Sequence, residues 1–245
     1  MLQCAVDASL TGRDTLMNTY LKSLRDWLLP VSCVLCGAHT LRSHGLCIGC
    51  ERSLPYIHQA CPVCAGPSTD VKQACGRCQR RRPHFERARA LLHYQNPVDR
   101  MIRHLKYSGQ LHYAHHLGEL MAAHFVPDVN PPDCLVPVPL HPSRLRMRGY
   151  NQALEIARPM ARALNIPLEV DALRRIRKTP TQTELPLKRR AGNVRGAFVA
   201  RTRFDGKRVA IIDDVMTSGH TADSLSLCLR RAGAETVEIW VVARA

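Results

Sequence analysis

Eight cysteines stand in four Cys-x-x-Cys pairs, Cys33/Cys36, Cys47/Cys50, Cys61/Cys64 and Cys75/Cys78, with ten residues between each pair and the next. A Cys-x-x-Cys turn aims two thiolates at one point, and two such turns complete a tetrahedral four-thiolate site of the kind that holds zinc. Eight ligands make two sites. Sequential pairing is the simplest arrangement, and a crossed pairing also satisfies the spacing. Glycine or proline attends most of the turns (Gly37, Gly45, Gly49, Pro62, Gly66, Gly76), as tight knuckles need. A closed four-thiolate site keeps no position for water, so its role is structural rather than hydrolytic. Cys134 begins an apolar run and Cys228 falls on a helical face, which makes both core residues; Cys4 is terminal.

The second concentration of chemistry is VAIIDDVMTSGHT, residues 209–221. Its apolar run is a buried strand that delivers two adjacent carboxylates, Asp213 and Asp214, to the edge of a sheet. Met216 follows, and Thr217, Ser218, Gly219, His220 and Thr221 then form a turn that opens a helix. Backbone N–H groups and three hydroxyls there surround an anion at a helix N-terminus. Gly219 lets the chain approach it closely. Two carboxylates beside such a nest would repel a simple anion. They make sense if they bind ribose hydroxyls, directly or through Mg2+, while the nest takes a 5′-phosphate. That combination describes phosphoribosyl pyrophosphate (PRPP). No GxxxxGK[ST] is present, which excludes a P-loop nucleotide site.

These groups need a scaffold. Residues 1–30 include Leu16, Met17, Tyr20, Leu21, Leu24, Trp27 and Leu28 at helical spacing before Pro30, an amphipathic region that docks on the protein or on a membrane surface. A double zinc ribbon is expected over 31–82 and an α/β domain over 83–245. In the latter, strands are expected at 88–94, 134–139, 168–173, 197–200, 208–212 and 237–242. Helices are expected at 97–106, 113–125, 151–164 and 222–232, the last closed by Gly233. Alternating strands and helices imply a mostly parallel sheet with ligands at the strands' C-terminal ends. His112, His115 and His116 share a helix but have no partner ligands nearby in sequence, and read as exposed residues.

The chain has 245 residues, 45% of them hydrophobic, enough for a packed core. No apolar run reaches membrane-spanning length, and the first residues lack the basic-then-apolar pattern of a secretory signal, so a cytoplasmic protein is expected. The formal net charge is +15, which calls for an anionic partner. Two four-thiolate zinc centres would lower it to about +11. Arg77, Arg80, Arg81 and Arg82 crowd the last cysteine pair, as a solvated face or a nucleic-acid contact. Aromatics are only 5%, which favours phosphates over stacked bases as the groups recognised.

Residues 209–221 resemble the PRPP motif of type I phosphoribosyltransferases. With the paired knuckles, HLKYSG (104–109), VPVPLHPSRLRMRGYNQA (136–153) and RKTPTQTELPLKRRAGNVRGAF (177–198), the chain resembles the ComF/GntX family of competence-related, phosphoribosyltransferase-like proteins over 31–245. His220 departs from the pattern, standing where many transferases have a small residue. The resemblance implies a type I phosphoribosyltransferase-like, mostly parallel sheet with helices on both faces, preceded by a small double zinc-ribbon module. It makes the segment after 136–140 a pyrophosphate loop, with Arg144, Arg146 and Arg148 facing the diphosphate and Asn151 and Gln152 orienting hydroxyls or phosphate oxygens. Residues 177–195 become a closing loop that brings Lys178, Lys188, Arg189 or Arg190 to the leaving group, with Asp213, Asp214, Lys188 and Arg189 as the catalytic set. Breaking the bond to pyrophosphate leaves a cationic ribosyl group and a highly charged leaving group, which cations and a dry site stabilise. Three functions stay open: an Mg2+-dependent pentosyl transferase, a non-catalytic single-stranded-DNA-binding accessory protein, and a PRPP-sensing regulator. Each fits DNA uptake or use of external DNA, with a competence-machinery protein as a further partner.

Overall fold

A computed structural model describes residues 32–42, 44–125, 131–177 and 196–245. The amphipathic region, Cys4, and the closing-loop residues Lys178, Lys188, Arg189 and Arg190 lie outside the described residues. The chain forms two compact units, one ending at Ser53 and the other Leu54–Ala245. The first holds α1 (Ile48–Arg52), where the Cys47 sulfur caps the helix by accepting from the Cys50 N–H.

In the second unit, α2 (Gly76–Arg80) completes the second pair of knuckles. There follow β1 (Arg87–His93), α3 (Val98–Tyr107), α4 (His112–His124), β2 (Cys134–Pro137), α5 (Pro142–Arg148) and α6 (Gln152–Leu164). The chain then forms β3 (Leu173–Arg175), β4 (Phe198–Ala200), β5 (Arg208–Met216), α7 (His220–Arg231) and β6 (Thr236–Arg244). The main sheet runs β1-β6-β5-β2, and every pair in it is parallel. Alternate residues of β5 and β6 explain the layering. Val209, Ile211, Val237, Ile239 and Val241 share a core with Ala222, Leu225 and Leu229 of α7. The intervening Ala210, Ile212, Trp240 and Val242 are equally buried, so the sheet is covered on both faces. On that other face α6 packs against β5 and β2, and α4 against α6 and β6.

Two elements differ from expectation. The 168–173 segment is not one strand. Leu168 makes a single parallel bridge with Leu135, a turn intervenes, and β3 then pairs antiparallel with β4 in a separate two-stranded sheet. The segment holding Arg144, Arg146 and Arg148 is a short helix rather than a loop. His141 accepts from the Ser143 N–H at its start, Pro142 occupies its first turn, and Gly149 ends it in the left-handed region at φ 83°. The second pair of knuckles packs within the second unit, where Cys61, Cys64 and Cys78 are buried in one core with Phe85, Ala88 and Met216. The Ala88 N–H also donates to the Val63 carbonyl at 2.8 Å, which ties the knuckle to β1.

Candidate functional site

Each cysteine tetrad gathers as sequential pairing requires. The sulfurs of Cys33, Cys36, Cys47 and Cys50 lie within 4.8 Å of one another, and those of Cys61, Cys64, Cys75 and Cys78 do likewise. No other such ligand group occurs among the described residues. Burial pushes the Cys61 thiol up, but hydrogen bonds from backbone amides, foremost that of Cys75, outweigh it and draw its pKa down to about 6. Cys33 reaches about 6 in the same way, burial being overcome by amides led by Cys47. Within each tetrad another thiol is pushed the other way, Cys50 by its sulfur neighbours with Cys36 foremost and Cys78 by burial. Four sulfurs at mutual distances one ion can span, rather than a shared acidity, make each tetrad a donor set suited to zinc.

A cleft with a volume of about 240 Å3 opens where β2 and β5 part company. β2 stops at Pro137, opposite Ile212, whereas β5 continues beside β6 as far as Met216, opposite Arg244. The carboxylates thus sit within β5, beyond the reach of β2, rather than past the strand's end. The chain leaves β2 for α6 on one face and β5 for α7 on the other, so the crevice lies at a switch point of the sheet.

Asp213, Asp214, Met216, Thr217, Gly219 and Thr221 line the cleft. Asp214 is buried, and its Oδ2 lies 2.5 Å from the Nζ of Lys106, at the C-terminal turn of α3. Burial works against the Lys106 charge, yet Asp214 holds its pKa above the ordinary value. Asp213 fares worse: burial and the charge of Asp214 push its carboxyl well above the carboxylate range, against a smaller pull from Lys106. Gly219 is the N-cap of α7 at φ 78°. A Cβ there would meet Met216 Sδ at 3.8 Å and Arg77 Nη2 at 4.0 Å, both ordinary contacts, so backbone conformation rather than space calls for glycine.

Arg144, Arg148 and Gln152 also line the cleft, and Arg148 donates to the Gln152 side chain. Arg146, on the same short helix, is exposed and does not line it. Asn151 does not line it either: its side chain caps α6 by accepting from the Ala153 N–H at 3.1 Å and donates to the Val138 carbonyl at 3.0 Å. Ser218 and His220 belong to the turn but are not among the lining residues. Four polar lining residues were not singled out from sequence: Tyr94, Lys106, Tyr107 and Arg175. Lys106 and Tyr107 lie in the HLKYSG motif, which was a usable signal. Arg175 had none. It is buried, and burial followed by repulsion from Arg144 lowers its pKa, while Asp213 works the other way.

The double zinc ribbon domain matches residues 24–79, and the phosphoribosyl transferase domain matches 151–245. "Competence protein F" of Haemophilus influenzae is 32% identical over 225 residues, 87% of this chain and 96% of its own. "DNA utilization protein YhgH" of Escherichia coli K12 is 32% identical over 222 residues, 88% of this chain and 98% of its own. The chain belongs to the competence protein F/YhgH family. Among solved structures, a purine phosphoribosyltransferase from Pyrococcus horikoshii aligns over 64% of this chain and 87% of its own, at 18% identity and a TM-score of 0.31. In this family member a phosphoribosyltransferase-type parallel sheet follows two tetra-cysteine zinc-ribbon sites. No helix among the described residues is long and apolar enough to cross a membrane.

Proposed function

We propose that the cleft binds PRPP as its Mg2+ complex, and that this binding serves DNA uptake or the use of external DNA. One observation carries the reading: paired carboxylates near the end of β5 run directly into an anion-binding turn at the N-terminus of α7, inside a cleft that also contains Arg144, Arg148 and Arg175. The turn's N–H groups take the 5′-phosphate. Asp213 and Asp214 accept from the ribose hydroxyls. The diphosphate lies toward the arginines, where an added anion offsets the repulsion between Arg144 and Arg175. The buried Ser218 hydroxyl, without a hydrogen-bond partner among the described residues, is a further donor in the turn. Asp213 and Asp214 are the residues that would hold Mg2+, which would supply charge to offset that of the diphosphate. The names of the relatives supply the process, since one is a competence protein and the other a DNA utilization protein.

DNA contact falls to the exposed Arg80, Arg81 and Arg82 beside the second tetrad, within a chain of net charge +15. The test of the cleft is calorimetric titration of Mg2+·PRPP into protein carrying two zinc ions. Saturable binding is expected at micromolar to tens-of-micromolar concentrations, on the order of 6–8 kcal/mol. Asp213→Asn and Asp214→Asn should each weaken it at least about tenfold, a loss of charge-assisted hydrogen bonds. Equal affinity in both variants would mean that the ribose lies elsewhere. Pyrophosphate release from bound PRPP, assayed with candidate acceptors, separates a transferase from a protein that only binds.

A further inference from the structure

The second cysteine tetrad and the anion-binding turn share two arginines. Arg244, at the end of β6, is buried and stands in register with Met216. Its Nη1 donates to the Met216 carbonyl at 2.9 Å, and its Nε donates to the Cys64 carbonyl at 3.3 Å. A Cβ built on Gly66 would lie 3.3 Å from Cys64 Sγ and 3.4 Å from Arg244 Nη2, so thiol and guanidinium converge over that glycine. Arg77, between the last two ligands, donates from Nη1 to the Ser218 carbonyl at 2.9 Å.

The peptide unit turns these contacts into a constraint on the cleft. In a trans peptide the N–H points opposite to the carbonyl. The Met216 carbonyl also accepts from the Ala245 N–H at 3.1 Å, so Arg244 adds a second bond there, whereas Arg77 holds the Ser218 carbonyl. Carbonyls held in these places turn the 217 and 219 N–H groups away from the arginines. Thr217 and Gly219 are both cleft-lining residues. Four thiolates around a divalent zinc ion leave a net charge of about −2, which two guanidinium groups balance. Loss of the metal would free the four sulfurs from one point and, with them, the knuckle backbone whose Cys64 carbonyl accepts from Arg244.

We propose that the second knuckle sets the phosphate turn: metal held by Cys61, Cys64, Cys75 and Cys78 fixes Arg77 and Arg244, and these positioning residues orient the turn's N–H groups for an anion. The proposal rests on reading the cleft as a PRPP site. Metal at the knuckle and ligand in the cleft then stabilise each other, since a coupling free energy acts equally in both directions.

The experiment is hydrogen exchange of the peptide covering 215–221, with zinc content measured on the same samples. Arg77 is exposed, so Arg77→Gln tests its bond to the turn with little risk to the core. Exchange in the turn should rise about fivefold or more while two zinc ions stay bound, and PRPP affinity should fall by a similar factor. In the wild type, chelation should raise turn exchange in step with alkylation of Cys75, which reports loss of that metal. Unchanged turn exchange in zinc-replete Arg77→Gln, or after Cys75 has become reactive, would overturn the proposal. A wild type that binds no PRPP would instead overturn the reading of the cleft, and exchange would still decide whether the knuckle holds the turn.

Discussion

At Asp213, burial and the neighbouring Asp214 both oppose ionisation, and Lys106 answers only part of that opposition. A carboxyl whose pKa is raised by folding binds its proton more tightly in the native state than in the unfolded chain. Its contribution to stability is therefore full below the ordinary value of 3.8 and is lost as pH rises from there through the raised native value. At neutral pH the group is a liability to the fold, which makes sense if a ligand uses it. Asp213→Asn removes the titration while keeping nearly the same shape. Thermal unfolding at pH 7 should show the variant more stable by about 0.5–2 kcal/mol, with an advantage that shrinks as the pH is lowered, while PRPP binding weakens. A variant less stable than wild type at pH 7 would mean that Asp213 is needed by the fold. The two acids and the turn after them were legible because strand, carboxylates and anion nest are contiguous. Lys106 was not, since its pairing with Asp214 joins residues far apart in sequence. Arg175 was hidden for a different reason: a buried arginine in a three-residue strand looks in sequence like any surface arginine.

Helices α4 and α6 meet more closely than side chains would normally allow. A Cβ on Gly118 would lie 2.4 Å from the Ile156 carbonyl oxygen and 2.5 Å from Pro159 Cγ. The first of these neighbours is backbone and cannot swing aside. Pro159, inside α6, has no N–H to donate within the helix, and its ring occupies the contact instead. Gly118→Ala should accordingly cost about 1–3 kcal/mol in chemical denaturation, because the helices must separate. Since α6 packs against β5 and β2, separation would also loosen the cleft, and PRPP affinity should fall with stability. A variant as stable as wild type would show that the two backbones have room to move apart. Element positions were broadly readable from apolar periodicity; their ends depended on partners. β5 extends to Met216 through two acids because β6 continues to pair with it, a non-local cause that the run VAII does not reveal. α5 carried its own signals in Pro142 and Gly149, but the family resemblance had cast that stretch as a loop.

For the whole molecule, charge is the property that composition states most directly. An excess of +15, lowered to about +11 by two zinc centres, attracts any polyanion, so attraction alone does not identify DNA as the partner. The dependence on salt is more discriminating. Each phosphate neutralised on a single strand contributes about −0.7 to the slope of log affinity against log salt. Arg80, Arg81 and Arg82 are exposed, and Arg81 makes a long contact with Asp223, at 3.9 Å. If all three meet phosphates, replacing them together by glutamine should make the slope shallower by about 2 units and weaken binding of every strand alike. Aromatic residues make up 5% of the chain, too few to supply many stacking platforms, so oligo-dT and mixed sequences should bind with similar affinity. Fluorescence anisotropy at several salt concentrations reads slope and affinity together. An unchanged slope in the triple variant would remove this face from the DNA contact, and a strong base preference would require a stacking surface beyond the groups described. Arg77 was left out of the triple variant for a physical reason: its guanidinium is committed to the Ser218 carbonyl, so replacing it would mix the turn's response with that of the DNA contact.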